Sequence, residues 1–388
     1  MHADVIIIGA GPTGLCLANT LAQAGLHSIV LERQALTAIS KPAFDGREIA
    51  LTHASRHFLQ QWGLWDRIDP SAIADLRHAQ VLDGPALSGM TIHAELGRKK
   101  QLGWLVSNYL LRQAAYDCIA LQNRVQLITD VNIESTLVHT NHIELRLNNG
   151  ALLRAPLVVA ADSRFSETRR AMGIQAHVRD FGKSMMVCRV KLAQPHHQIA
   201  WEWFGYGQTR ALLPLNDQCA SVVLTLNHNA MQQLLALPEN EFDAAISDHY
   251  EFKLGAMRRI SERFVYPLVG VYAAQFHAPR FALIGDAAVG MHPVTAHGFN
   301  LGLSSVASLA HYLIRAHRAG QDLADPKHLA AYTRQHHQRC FPLFAATNLV
   351  VSLYTNDLPP ARMMRQAILK AADTLTPFKR FIATRLTG

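Results

Sequence analysis

Cysteine is scarce in this 388-residue chain: Cys16, Cys118, Cys188, Cys219 and Cys340 make an odd count with no Cys-x-x-Cys pairing. That argues against a secreted disulfide framework and for a reducing, cytoplasmic setting. Long apolar runs are missing too, so no stretch approaches the roughly 18 residues of a spanning helix. Charged residues make up only 17% against 49% hydrophobic, which excludes disorder as the main state. The formal charge of +8 is spread along the chain with no basic stripe carrying interleaved aromatics, so nucleic acid is not an expected partner. No repeat, low-complexity tract or linker interrupts the sequence. The first strand begins by residue 4, which leaves no room for a signal peptide. Histidine is plentiful at 21 residues. The pairs His196-His197 and His336-His337 are adjacent, however, and neighbours point in different directions. With no Cys/His zinc spacing and no HxxxH with a carboxylate partner, no metal site is expected.

What the chain does have is an opening that carries chemistry. Asp4-Val-Ile-Ile-Ile-Gly-Ala-Gly-Pro-Thr-Gly-Leu combines a β-branched run, Val5 to Ile8, with Gly9-x-Gly11-x-x-Gly14. The run suits a parallel strand covered on both faces. Leu15 to Ala24 then reads as a helix ended by Gly25, and Ser28 to Leu31 as a second strand. Glu32 follows that strand, where a carboxylate can accept hydrogen bonds from ribose hydroxyls, and Arg33 stands beside it. One glycine permits the turn, one lets backbone approach a pyrophosphate, and one allows close helix packing. Pro12 and Thr13 sit at the helix start, whose free N–H groups suit phosphate. A glycine-rich turn alone is weak evidence; strand, helix, second strand and terminal acid in order make a dinucleotide site the stronger reading over a merely structural turn.

This motif does not separate NAD from FAD. A second one bears on the choice: Arg280-Phe-Ala-Leu-Ile-Gly-Asp-Ala-Ala, in which a buried strand, Phe281 to Ile284, delivers Gly285-Asp286 to its carboxyl end. There Asp286 can hydrogen-bond a polyol such as a ribityl chain, or mark an ordinary strand-to-turn transition. The loop His292-Pro293-Val-Thr-Ala-His297-Gly298-Phe299-Asn300-Leu-Gly302 leads into a helix running towards Arg315. A positive helix end there suits the N1–C2=O edge of a reduced flavin. His292 and His297 either orient a substrate phenol or hydrogen-bond the backbone.

Together these motifs resemble the FAD-containing aromatic monooxygenases of the para-hydroxybenzoate hydroxylase fold, over nearly the whole chain, and in particular the ubiquinone-biosynthesis hydroxylases of the UbiH/UbiF/VisC group. Asp45-Gly-Arg47-Glu-Ile-Ala-Leu-Thr-His-Ala-Ser55 is similar to that group's flavin-contacting segment, which implies Arg47 near the FAD and adds Asn108 to the implied cofactor contacts. Leu157 to Ala160 followed by Asp162-Ser163-Arg164-Phe-Ser166-Glu-Thr-Arg169 matches a third element. Four departures mark a divergent branch resembling the UbiM hydroxylases. Ser163 replaces a glycine and would resist a positive φ, Val289 replaces a histidine, Ala296-His297-Gly298 replaces Gly-Gln-Gly, and Ser304-Ser305 stands where an acid is common.

The resemblance implies an α/β fold: a Rossmann-like FAD-binding domain with an inserted antiparallel-sheet substrate domain and a helical C-terminus. The expected FAD-binding parts are residues 1–72, 98–175 and 276–325. Residues 73–97 and 176–275 form the substrate domain, and 326–388 the helical region. In 176–275, Met185 to Lys191, Ala200 to Phe204, Arg210 to Leu215, Ala220 to Leu226 and Tyr266 to Phe276 read as strands. The aromatics Trp201, Trp203, Phe204 and Tyr206 face either substrate or core. The C-terminal mixture of apolar and basic residues reads as a helix pair packed on the FAD domain, or as an amphipathic surface touching an anionic inner membrane.

The implied activity is hydroxylation of a polyprenylated phenol with O2 through a flavin C4a-hydroperoxide, with NAD(P)H as electron donor and a ubiquinone-biosynthesis complex as a setting. No side-chain acid, base or nucleophile is demanded, and none is assigned; His292, Pro293, His297 and Gly298 are simply expected beside the flavin. Two rival classes share the motifs: an FAD-dependent reductase or epoxidase of an isoprenoid, and a non-catalytic flavin-holding member of a biosynthetic complex.

Overall fold

The computed structural model describes residues 2–84, 89–205, 207–216, 218–292, 297–354, 358–375, 379–380 and 383–384. Its centre is a six-stranded sheet in the order His277–Ala278, Phe281–Leu283, Leu157–Ala160, Val5–Ile8, Ser28–Leu31, Val125–Ile128. The last five are parallel, in the registers Val158↔Phe281, Val5↔Leu157, Val5↔Ser28 and Ser28↔Val125. Every residue of Val5–Ile8 and Leu157–Ala160 is buried, as continuous apolar strands with helices on both sides require. The helix Pro12–Gln23 starts at Gly11 with proline in its first turn, where the missing N–H costs nothing. Gly25 follows it at φ +94°.

A second sheet stands against the first. Its order is Val289–Gly290, Phe264–Ala273, Ala176–Leu192, Cys219–Asn227, Thr209–Pro214, Ile199–Phe204, His78–Asp83, Gly89–His93, with Met257–Arg259 paired beside Ala176–Leu192. Strands from 73–97 and from 176–275 therefore share one sheet. All but one pairing is antiparallel; Ile199–Phe204 runs parallel to His78–Asp83. The expected strand Met185 to Lys191 is the end of a 17-residue strand, and Tyr266 to Phe276 begins and ends earlier, at Phe264–Ala273.

Two helices in this region were not legible as such, His228–Ala236 and Glu239–His249. They cover the outer face of the sheet through Met231, Leu234, Phe242 and Ile246, packed on Met186, Cys188, Val222 and Leu224. The opposite, inner face meets the loop at Gly46 and the strand Glu48–Leu51, which belongs to a separate three-stranded sheet in the order Glu48–Leu51, Gly103–Ser107, Ala74–Leu76. An added Cβ at Gly46 would lie 2.6 Å from Phe264 and 2.8 Å from Val187, so no larger residue fits between the layers there. Arg189 bridges the same gap, its Nε and Nη2 donating to buried Glu48 Oε1 at 2.8 and 2.6 Å. The long helices Gly298–Arg318, Pro326–Tyr354 and Pro359–Thr374 complete the chain. The last packs on Gly89–His93 through Leu369 and Ala372.

Candidate active site

Four strand ends of the parallel sheet converge at one edge, where ligands collect in open α/β folds. The first carries the glycine turn. Gly9 holds φ +105°, and an added Cβ there would meet Ala161 O at 2.6 Å; at Gly14 it would lie 2.1 Å from Gly9 O. At Gly11 it would meet nothing within 4 Å, and the same is true at Gly298. These two glycines border open space at two helix starts, the cradle a dinucleotide's phosphates and a flavin edge require.

Glu32, at the end of the second strand, turns back to the loop: its Oε2 accepts from Ala10 N at 2.8 Å and its Oε1 from Gln34 N at 2.9 Å. Arg33 beside it is exposed. Asp162, after the third strand, accepts from Thr168 Oγ1 at 3.1 Å through Oδ2, while Oδ1 is buried without a partner. Such an orphaned acceptor beside the glycine turn fits a hydroxyl or amide donor of a bound group. Ser163 does take a positive φ, +149°, so the turn asks serine for a conformation glycine adopts freely.

At the fourth strand end, Asp286 Oδ2 accepts from Arg164 Nη2 at 2.8 Å and Nε at 3.2 Å, and its side chain remains 36% exposed. Arg169, buried, donates to Ala287 O at 2.9 Å. Two stretches 122 residues apart are thereby one unit, a link that sequence spacing does not announce. Thr13 is a packing post: its side chain lies 3.0 Å from where Gly285, at φ +59°, would carry a Cβ and 3.2 Å from the equivalent point at Gly302. Ser305, where an acid is common in the resembling group, accepts from Gly285 N at 3.0 Å and donates to Gly302 O, fixing the loop to the helix.

Asn300 ties the helix start to the neighbouring strand, Oδ1 accepting from Thr52 N at 3.1 Å and Nδ2 donating to Ala50 O at 2.8 Å. Phe299 packs against the main core. His297 is the residue before the helix Gly298–Arg318; Pro293 lies outside the described residues. His292 is buried with its ring 4.7 Å from Phe181, and burial together with Lys183, Arg179 and Arg164 pushes it down to about 4, so it is neutral at pH 7.

Arg47 and Asn108 meet on Asp45: Arg47 Nη2 donates to Asp45 Oδ2 at 2.6 Å and Asn108 Nδ2 to the same oxygen at 2.8 Å. Tyr266, from the second sheet, donates its hydroxyl to Asp45 O at 2.7 Å. Arg112 joins this group, interacting with Asp45, Arg47 and Glu32. It went unread in the sequence, although it stands four residues after Asn108 on the helix Asn108–Ile119 and therefore on the same face.

On the inner face of the second sheet, enclosed by His292 and by Val351 of the helix Pro326–Tyr354, is a cavity of about 300 Å³ lined by Arg179, Phe181, Lys183, Phe204, Thr209 and Thr225 among others. Of the four aromatics singled out, Phe204 lines this cavity. Trp203 is core, fully buried with Nε1 donating to Gly84 O and Arg210 over its ring at 3.6 Å. Trp201 packs on the outer cluster, and Tyr206 lies outside the described residues. Folding does gather two histidine groups that spacing did not reveal: His78, His93 and Glu95, and His139, His142 and Glu144, each within 4.8 Å. In the second, Glu144 is held by Arg154.

A parallel sheet with this glycine turn, its acidic second-strand end, a distal Gly-Asp and an overlying sheet define a flavoprotein monooxygenase. The family model described as FAD binding domain matches residues 2–344. Among solved structures, p-nitrophenol 4-monooxygenase PnpA of Pseudomonas putida superposes with TM-score 0.80 at 19% identity, covering 100% of this chain and 98% of that one. Ubiquinone hydroxylase UbiM of Neisseria meningitidis is 40% identical over 394 residues, all of this chain and 85% of that protein. The 3-demethoxyubiquinol 3-hydroxylase of Escherichia coli is 30% identical over 97% of this chain and 96% of its own length. The chain belongs to this family of FAD-dependent ubiquinone hydroxylases.

Proposed function

We propose that the protein hydroxylates the aromatic ring of a polyprenylated phenol on the way to ubiquinone, with O2 as oxygen source and NAD(P)H as electron donor. The observation that carries this is the pair of open glycine positions at Gly11 and Gly298, each at the start of a helix that follows a strand end of the parallel sheet, together with a cavity on the inner face of the second sheet. FAD, when bound, supplies the electron transfer and oxygen activation. The chain's own groups do the rest. Backbone N–H groups at the start of Pro12–Gln23 hold the pyrophosphate, and Glu32 accepts from the adenosine ribose. Asp286, oriented by Arg164, would accept from the ribityl chain, and the unpartnered Asp162 oxygen would be available to the same group. The start of Gly298–Arg318 would offer its positive end to the flavin's anionic edge. Neutral His292 and the cavity walls receive the phenol and exclude water.

No helix among the described residues is long and apolar enough to cross a membrane. The last two helices and the residues flanking the second, however, expose Leu349, Leu358, Met363, Met364, Ile368 and Leu375, and Lys379 and Arg380 follow. Val351, on the first of them, lines the cavity. This supports peripheral contact with an anionic bilayer, the source of a polyprenylated substrate.

Separate roles predict separable losses. Asp286→Ala should leave the protein without FAD, because it removes a binding group. Gly298→Val should keep FAD yet uncouple the reaction, since displacement of about 1 Å can cost on the order of 100-fold in rate. Stopped-flow oxidation with hydrogen peroxide measured against hydroxylated product decides: normal coupling in the Gly298 variant would place the reaction centre elsewhere.

A further inference from the structure

Strand geometry sorts the second sheet into two faces, because alternate side chains point to opposite sides. Met186, Cys188, Val222, Leu224 and Leu212 face outward under the two covering helices. Phe204, Thr209 and Thr225 face inward and line the cavity. The registers Phe204↔Thr209, Glu202↔Ala211 and Ala211↔Val223 put Glu202 on that inward face, one step along from Phe204. Val81, opposite Glu202 on the parallel neighbour, completes its surroundings. Glu202, Val81, Ala211 and Val223 are all only part-buried. This stretch of the inner face, adjoining the cavity-lining Phe204, Thr209 and Thr225, therefore keeps accessible surface around one carboxyl set among small and apolar side chains.

That carboxyl has no hydrogen bond or ion pair among the described residues. The other charged groups on this side are engaged or lie at the cavity: Asp83 is paired with Arg365, Arg189 with Glu48, while Lys183, Arg179 and His292 line the cavity. Arg210 and Tyr250 approach from the outer side, Arg210 over Trp203 and Tyr250 bonded to Ala211 O and Val223 O. A carboxyl enclosed by apolar side chains without a partner is costly unless a ligand uses it.

We propose that Glu202 takes the phenolic hydroxyl of the substrate, its carboxylate accepting the O–H and then the proton as the ring is hydroxylated. The phenol O–H bond breaks, the proton passes to a Glu202 oxygen, and the electron pair stays on the phenolic oxygen, raising the electron density of the ring. This rests on the hydroxylase reading. Burial pushes Glu202 up to about 8, closer to a phenol than an ordinary carboxylate and so better matched for sharing its proton.

The test uses the FAD-loaded protein in the oxidised, unreacted state with a short-tailed prenylphenol and its O-methyl ether as probes. The phenol's Kd should fall roughly five- to tenfold as pH rises through about 8, because a charged acceptor holds the O–H more strongly than a neutral one. The ether, which has no proton to give, should bind independently of pH. Glu202→Gln should bind both without pH dependence, at unchanged FAD content, and its kcat should lose the limb near pH 8. A Glu202→Gln variant that keeps the wild-type pH dependence overturns the proposal, as does an ether that follows the phenol. A wild-type protein that binds no prenylphenol at any pH overturns the hydroxylase reading and this proposal with it.

Discussion

A methyl group at Gly14 would lie 2.1 Å from the Gly9 carbonyl oxygen, whereas one at Gly11 would meet no protein atom. The two glycines therefore fail differently. Gly14→Ala should destabilise the fold itself, and Gly11→Val should leave the melting temperature of the apoprotein in place while abolishing the flavin absorbance. Equal FAD content in wild type and Gly11→Val would show that nothing binds in that cradle. Glu32→Ala should weaken FAD by roughly 1.5–3 kcal/mol, the worth of hydrogen bonds to a charged group, and should also free Ala10 N; an unchanged Kd would make Glu32 purely structural.

Glu202 supplies a prediction about stability. Its carboxyl is raised from 4.5 to about 8, so between those values the folded protein binds the proton and the unfolded chain does not. Folding stability from this group therefore falls as pH rises from about 4.5 through about 8. Glu202→Gln should remove that decline and be more stable than wild type above about pH 8 in urea unfolding; parallel pH curves for the two would contradict its burial. That the glycines, Glu32, Asp162 and Asp286 stand at the strand ends was legible, because backbone constraints fix them to local motifs. Arg112 and Glu202 were not, since their positions depend on a helix face and on strand register set by distant partners.

Among elements, the helix Pro359–Thr374 is fastened to the second sheet by a fully buried ion pair, Arg365 Nε to Asp83 Oδ1 at 3.2 Å. Removing one partner strands the other charge in the interior. Arg365→Met should cost about 3–5 kcal/mol, and the double variant Asp83→Asn with Arg365→Met should recover much of that loss. Additive losses in a double-mutant cycle would show the pair is not coupled. The parallel strands Val5–Ile8, Ser28–Leu31 and Leu157–Ala160 were readable to the residue, because burial on both faces leaves only unbroken apolar runs. The helices His228–Ala236 and Glu239–His249 were hidden by brevity and by a sheet-like neighbourhood. The pairing of Ile199–Phe204 with His78–Asp83, more than 100 residues away, has no local signal at all.

At the scale of the whole molecule, a chain of net charge +8 presents the exposed apolar face of its last helices close to the cavity. The protein should sediment with vesicles containing anionic phospholipid and less with neutral ones, and Met363→Glu with Met364→Glu should abolish this without loss of FAD. Retained binding in that variant would move the contact elsewhere. The central claim is that the second sheet and the flavin site together put one oxygen atom from O2 onto a phenolic ring. The direct measurement is mass spectrometry of the product formed from a short-tailed prenylphenol by the FAD-loaded protein with NAD(P)H under oxygen-18 gas. The account predicts a ring-hydroxylated product carrying one labelled atom. Unlabelled product, a reduced or epoxidised prenyl tail, or hydrogen peroxide with intact phenol would contradict it.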